Sequence, residues 1–270
     1  MENMLRLVTG RIGCGKTARI YEEIRKITEQ GGEVTLVVPE QYSFHTEKKM
    51  LEMLGARGAD RVNVVSFSFL AKNLLKKYGL NSEKSLDDST RAMLMSVALD
   101  EAGGDLQVYS RHRYSPAVIL QMLKTLKDFR QCSVTSEKIE ETLAKLKPSL
   151  LKDKLGEILL IDRTYTALVE QNYFDDDCAL DILCDVLDEH RDFDGAEVFV
   201  DGFRGFTAQE YAVLERIMRQ SAETWVTLCV DKADDEFGVF AHTFRTKRKL
   251  IRCAQKSGTD IAKPELLTRG

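Results

Sequence analysis

The chain has 270 residues, 43% hydrophobic and 30% charged, which is enough for a substantial core and excludes a disordered chain. Lys+Arg 39 against Asp+Glu 43 gives a net charge of −4, excluding a histone-like, generally basic nucleic-acid binder while leaving room for a local basic face. The six cysteines (14, 132, 178, 184, 229 and 253) form no C-x-x-C pair, which argues against a zinc ribbon. Their scatter through apolar runs suits reduced, buried thiols in a cytoplasmic protein. No run approaches 18 uncharged apolar residues, and the N-terminus turns straight into a strand, so neither a membrane span nor a signal peptide is expected.

Leu5–Thr9 reads as a short strand, followed by a glycine-rich turn over Gly10–Gly15. Lys16 to Gln30 carries Ile20, Ile24 and Ile27 at helical spacing and stops at Gly31-Gly32. Val34–Val38 is a β-branched run ended by Pro39. This βαβ grammar implies a parallel sheet with a right-handed crossover. A helix from Ser43, a strand at Val62–Val65 and a helix from Phe67 to about Tyr78 continue it. From about Asp87 to His190 only helical periodicity is found, in Thr90–Glu101, Pro116–Arg130, Ser136–Lys147, Leu155–Asn172 and Cys178–His190. Strands return at Val198–Asp201 and Trp225–Val230, either side of a helix from Thr207 to Gln220. The expected organisation is an α/β domain over 1–86 plus 191–235, an all-helical insertion over 87–190, and a stretch from 236 to 270 that opens the connection to a further domain.

Gly10-Arg11-Ile12-Gly13-Cys14-Gly15-Lys16-Thr17 matches G-x-x-x-x-G-K-[ST], after a strand and opening a helix as that motif requires. Glycines allow the backbone to curl its N–H groups around a phosphate, and the helix N-terminus adds a partial positive charge. Lys16 would reach the β- and γ-phosphates, and the Thr17 hydroxyl would ligate Mg²⁺. The bland alternative is a glycine-rich turn with a surface lysine. Glu197-Val198-Phe199-Val200-Asp201 is an apolar strand ending in a carboxylate, where such folds place a Mg²⁺-associated Asp. Gly202 follows, not the Glu that many helicase-type ATPases use to orient the attacking water.

The order Gly10–Thr17, Val38-Pro39-Glu40-Gln41 with Phe44 and Glu47, Val65-Ser66-Phe67, and Val200-Asp201-Gly202-Phe203 with Phe206-Thr207 and Glu210 resembles the N-terminus of the B subunit of AddAB-type ATP-dependent helicase–nucleases. The resemblance runs from the glycine-rich loop to Val230. It implies a P-loop, RecA-like (superfamily 1 helicase-like) domain that binds ATP and Mg²⁺ through Gly10, Arg11, Gly13, Cys14, Gly15, Lys16, Thr17 and Asp201. It also implies a heterodimer with the A subunit, acting on DNA ends and single-stranded DNA in break repair and recombination. The family's exonuclease domain, with its cysteine-ligated iron–sulfur cluster, is expected only in a C-terminal part beyond residue 270, so the six cysteines here are not cluster ligands.

Three departures from superfamily 1 helicases predict binding with little motor activity. Gly202 stands in for the Glu, Asp231-Lys232-Ala233-Asp234-Asp235 lacks the Gly and Gln of the sensor motif, and no upstream adenine-reading Gln precedes Leu5. Candidate DNA contacts are Gln41, Phe44, Ser66 and Phe67 in loops after strands, with helix-start and core roles as the alternative for Ser66 and the two phenylalanines. Arg245, Lys247, Arg248, Lys249, Arg252 and Lys256 form the densest cationic run, read as a solvated helix face in preference to a DNA contact. Asp175-Asp176-Asp177 reads as a helix N-terminus, and His45, His112, His190 and His242 show no ligand spacing. A competing class is a small-molecule or nucleotide kinase with a helical lid, for which Arg111 and Arg113 would be the phosphate clamp.

Overall fold

In the computed structural model, residues 3–80, 86–170, 173–231 and 238–268 are described. The chain divides into two units, Met1–Leu75 together with Leu180–Gly270, and Lys76–Ala179.

The first unit is built on a sheet whose pairings are all parallel. Its strands among the described residues are β1 (Met4–Gly10), β2 (Val34–Val37), β3 (Val62–Val65), β4 (Glu197–Val200), β5 (Glu223–Leu228), β6 (Asp260–Ile261) and β7 (Glu265–Leu267). The order is β3-β2-β4-β5-β1-β6, with β7 also on β1. The central strands are near-continuous apolar runs because both faces of a parallel sheet are covered. One face packs Val8, Leu36, Phe199 and Trp225 against Ile20 and Ile24 of α1 (Lys16–Glu29) and Met50 of α2 (Ser43–Ala59). Gly55, at φ 67°, breaks the helical path inside α2.

Within the stretch expected to open the connection to a further domain, residues 238–268 return to the sheet instead. Among the described residues there, helix α10 (Ala241–Ser257) ends at the left-handed Gly258, and the chain runs along β1 as β6 and β7. Pro264, which has no N–H to donate, separates these two short strands. The boundaries of the helical segment also differ from the sequence reading. Helix α8 (Ala179–Glu189) falls almost wholly in the sheet unit, because it bonds to α9 (Ala208–Gln220). Arg216 and Arg219 both donate to Asp188, Gln209 donates to Asp181, and Gln220 Nε2 donates to the carbonyls of Leu187 and His190.

The second unit is helical: α4 (Asp88–Glu101), α5 (Pro116–Gln131), α6 (Ser136–Lys145) and α7 (Leu150–Glu170), after α3 (Phe67–Lys77) crosses the boundary. Met95 and Leu99 of α4, Met122 and Leu126 of α5, and Ile161, Tyr165 and Val169 of α7 form its core. The four-residue spacing within each set puts its members on one apolar face per helix. The acidic triplet is a structural clasp here: Arg91 and Arg130 bond Asp175, and Arg91 and Lys127 bond Asp177. The Glu157 carboxylate, also buried, accepts from the backbone N–H groups of Gln107, Val108 and Tyr109 at 2.8, 2.7 and 3.0 Å.

Of the six cysteines only Cys184 is fully buried; Cys132 is exposed and the other four are half-buried, so burial is not their common feature. All six are free thiols. Among the described residues, no helix is long and apolar enough to cross a membrane.

Candidate functional site

The C-terminal end of β1 passes directly into the loop Gly10–Thr17. Gly10 sits at φ 153°, where an added Cβ would lie 2.5 Å from both Cys14 Sγ and the Leu267 carbonyl oxygen. No other residue fits there. Gly13 and Gly15 take φ 78° and 91°, so the backbone reverses in a short span before α1 begins. Lys16 folds back over this loop, and its ammonium donates to the carbonyls of Gly10 at 2.9 Å and Arg11 at 2.8 Å.

The start of α1 differs from the starts of α4 and α9. Asp87 caps α4 by accepting from Thr90 N, and Thr207 with Glu210 forms a reciprocal capping box on α9. For α1 the N-cap is Gly15, with no side-chain cap and no acidic residue in the first turn. The first helical N–H groups therefore make no bond to an N-cap side chain, at the positive end of the helix dipole. Thr17 is exposed in that turn. Such an end, next to a lysine, concentrates positive potential at one point of the surface.

Asp201 follows β4 at the same edge of the sheet, and its N–H donates to the Val37 carbonyl. Its carboxylate is buried and accepts from the Thr227 hydroxyl on β5. Burial, and secondarily the charge of Asp201, hold the Tyr21 phenol on α1 above its ordinary pKa, which puts Asp201 close to the α1 side of the sheet. β5 lies between β1 and β4, so Asp201 stands about 10 Å across the sheet from the line of β1. Arg11 is exposed and donates to Asp231 beyond β5, and that bond raises the guanidinium pKa. Of the sensor-like stretch only Asp231 is placed; residues 232–235 lie outside the described residues.

Gly202 takes φ 84°, with the Pro39 ring against it. The four candidate DNA-contact residues separate into two pairs. Gln41 and Phe44 are exposed, Phe44 to 79%. Ser66 and Phe67 are buried: the Ser66 hydroxyl accepts from Phe69 N at the start of α3, and Phe67 packs edge-on to Phe203 and Phe206. As folded, neither presents a face to a base. The cationic run lies on α10, with Arg245, Arg248, Lys249, Arg252 and Lys256 in an exposed stripe opposite Phe244, Leu250 and Ala254. Lys249 covers the Tyr211 ring and Lys256 pairs with Glu215, so part of that face is engaged within the unit. Arg113, half of the suggested phosphate clamp, lies against Gly103 and donates to the Tyr114 hydroxyl.

Comparison with known proteins places the chain in one family. Residues 7–270 match the family described as ADDB, N-terminal, and the chain belongs to that family. It is 30% identical over 98% of its length to the B subunit of the ATP-dependent helicase/deoxyribonuclease of Caldanaerobacter subterraneus subsp. tengcongensis, and 29% identical over 96% of its length to that of Clostridium acetobutylicum. The Thermoanaerobacter sp. protein of the same name is 30% identical over 98% of the chain. The chain spans about 23% of the length of the first two of these proteins and 24% of the third.

Proposed function

We propose that this chain is a P-loop, RecA-like lobe that binds ATP with Mg²⁺ at Gly10–Thr17. The observation that carries the reading is the side-chain-uncapped N-terminus of α1, fed by a loop with three positive-φ glycines and overlaid by Lys16. Lys16 exchanges the Gly10 and Arg11 carbonyls for phosphate oxygens. The α1 N–H groups neutralise the remaining phosphate charge. Thr17 and Asp201 are the residues that would hold the cation, which supplies charge neutralisation between phosphates when bound.

As a part of a B subunit, the lobe serves a heterodimer with an A subunit that processes DNA ends in break repair and recombination; relatives named for helicase and deoxyribonuclease activity support this. Gln41 and Phe44, exposed beyond β2, offer an amide and an aromatic face to a single strand. Turnover is slow: Gly202 supplies no base, and its left-handed conformation disfavours any side chain that would. No observation favours the kinase reading. The test is titration of a fluorescent ATP analogue with Mg²⁺ into wild type and Lys16→Ala. The proposal expects at least a tenfold loss in the variant, and equal affinities overturn it.

A further inference from the structure

Thr227 occupies β5 between the strand that feeds the glycine-rich loop and the strand that ends in Asp201. By register it lies opposite Val8 of β1, and one residue beyond the Val200–Val226 pair it faces Asp201. Side chains alternate along strands, so Thr227 shares a face with Trp225, and Asp201 shares one with Phe199. Trp225 and Phe199 stack at 5.8 Å in the cluster beneath α1. Thr227 and Asp201 therefore lie on the side of the sheet from which Lys16 and Thr17 begin their helix.

Thr227 is 4% exposed and Asp201 7%, and the Thr227 hydroxyl donates to Asp201 Oδ1. Valine at 227 would fill the same space with equal strand preference and no hydroxyl to desolvate. The visible use of the hydroxyl is its bond to the carboxylate. A buried carboxylate with one oxygen tied has already lost the rotational freedom that cation binding would otherwise have to remove.

We infer that Thr227 is a positioning residue, whose hydroxyl holds Asp201 Oδ1 so that Oδ2 is left for the divalent cation accompanying the nucleotide. This rests on the nucleotide site proposed above. Outer partners of metal-binding carboxylates contribute about 10–100-fold in metal affinity. Thr227 touches neither nucleotide nor cation and acts only through Asp201.

The experiment titrates Mg²⁺ against a fixed concentration of fluorescent ATP analogue. The proteins are wild type, Thr227→Val, Thr227→Ser, Asp201→Ala, and Thr227→Val combined with Asp201→Ala. Thr227→Val is expected to raise the half-saturating Mg²⁺ concentration about tenfold while metal-free nucleotide affinity stays within about twofold. Thr227→Ser, which keeps the hydroxyl, restores the wild-type value. In the Asp201→Ala background Thr227→Val adds nothing, as two residues acting through one contact require. Thr227→Ala replaces the valine variant if that variant does not fold. A wild-type Mg²⁺ midpoint in the hydroxyl-free variant, beside a raised one in Asp201→Ala, overturns the role of Thr227 alone. The same loss in both backgrounds overturns it too. A wild type that binds no nucleotide, or an unchanged midpoint in Asp201→Ala, overturns the site reading and this inference with it.

Discussion

Gly202 packs against Pro39: a Cβ built on Gly202 would lie 3.4 Å from the proline Cδ, and its φ is 84°. Two strand ends, those of β2 and β4, meet at this point beside Asp201. A side chain at 202 fits in ordinary contact with the proline ring but suffers left-handed backbone strain. Gly202→Ala is expected to cost about 1–2 kcal/mol. Urea denaturation reads it directly, and a loss below about 0.3 kcal/mol would contradict the strain. Gly202→Glu is expected to lower stability at least as much, without creating an active ATPase.

Glu157 holds the segment Gln107–Tyr109 through three backbone N–H bonds. Glu157→Ala removes all of these acceptors at once and is expected to destabilise the helical unit by about 2–3 kcal/mol. Glu157→Gln keeps one carbonyl oxygen and should fall between. Hydrogen exchange at amides 107–109 is the local readout. Protection unchanged in Glu157→Ala would show that the carboxylate is not what holds the loop.

Glu197 opens β4 opposite Glu223 of β5, and Arg6 is engaged by Glu223 through both its Nε and a terminal nitrogen. Glu197 Oε2 is buried with no hydrogen-bond partner among the described residues. Burial, then the charge of Glu223, push the Glu197 carboxyl from its ordinary 4.5 up to about 7, with Glu23 adding to the shift and Arg6 opposing it. The folded chain therefore holds this proton where the unfolded chain has released it. The stability contributed by the neutral form is complete below about 4.5 and is lost as pH rises to about 7. For a half-buried group the loss is on the order of 1–2 kcal/mol. Urea denaturation at pH 5 and pH 8 should show that difference in wild type and a smaller one in Glu197→Gln. Identical pH slopes would contradict it.

Local signals made the strands and the glycine-rich loop legible. Short apolar or β-branched runs mark β1 to β3, with Gly31-Gly32 and Pro39 flanking the second, and Gly10–Thr17 is a contiguous motif. What escaped depends on contacts far apart in sequence. β6 and β7 are two and three residues long, and they exist because β1, more than 250 residues earlier, offers them an edge. Helix α8 reads as one more member of a helical series until Gln220 and Arg216 are seen bonding it to α9. The cap-like role of Glu157 is equally hidden, since its partners lie 48 to 50 residues away. Asp201 could be read from the sequence as the end of an apolar strand, but its bond to Thr227 could not, because a threonine in a strand reads as ordinary β-propensity.

The most direct measurement of the central claim, an ATP site that binds and hardly turns over, follows the fate of the bound nucleotide. Highly purified chain is mixed with substoichiometric radiolabelled ATP and Mg²⁺, with and without single-stranded DNA. Protein-bound label is separated after several minutes and resolved into ATP and ADP. The account predicts that wild type retains label, that the label is overwhelmingly ATP under both conditions, and that Lys16→Ala retains little. No retained label in wild type, or ADP formed on the order of 1 s⁻¹ in a Lys16-dependent manner, the rate of an ordinary enzyme, would contradict it.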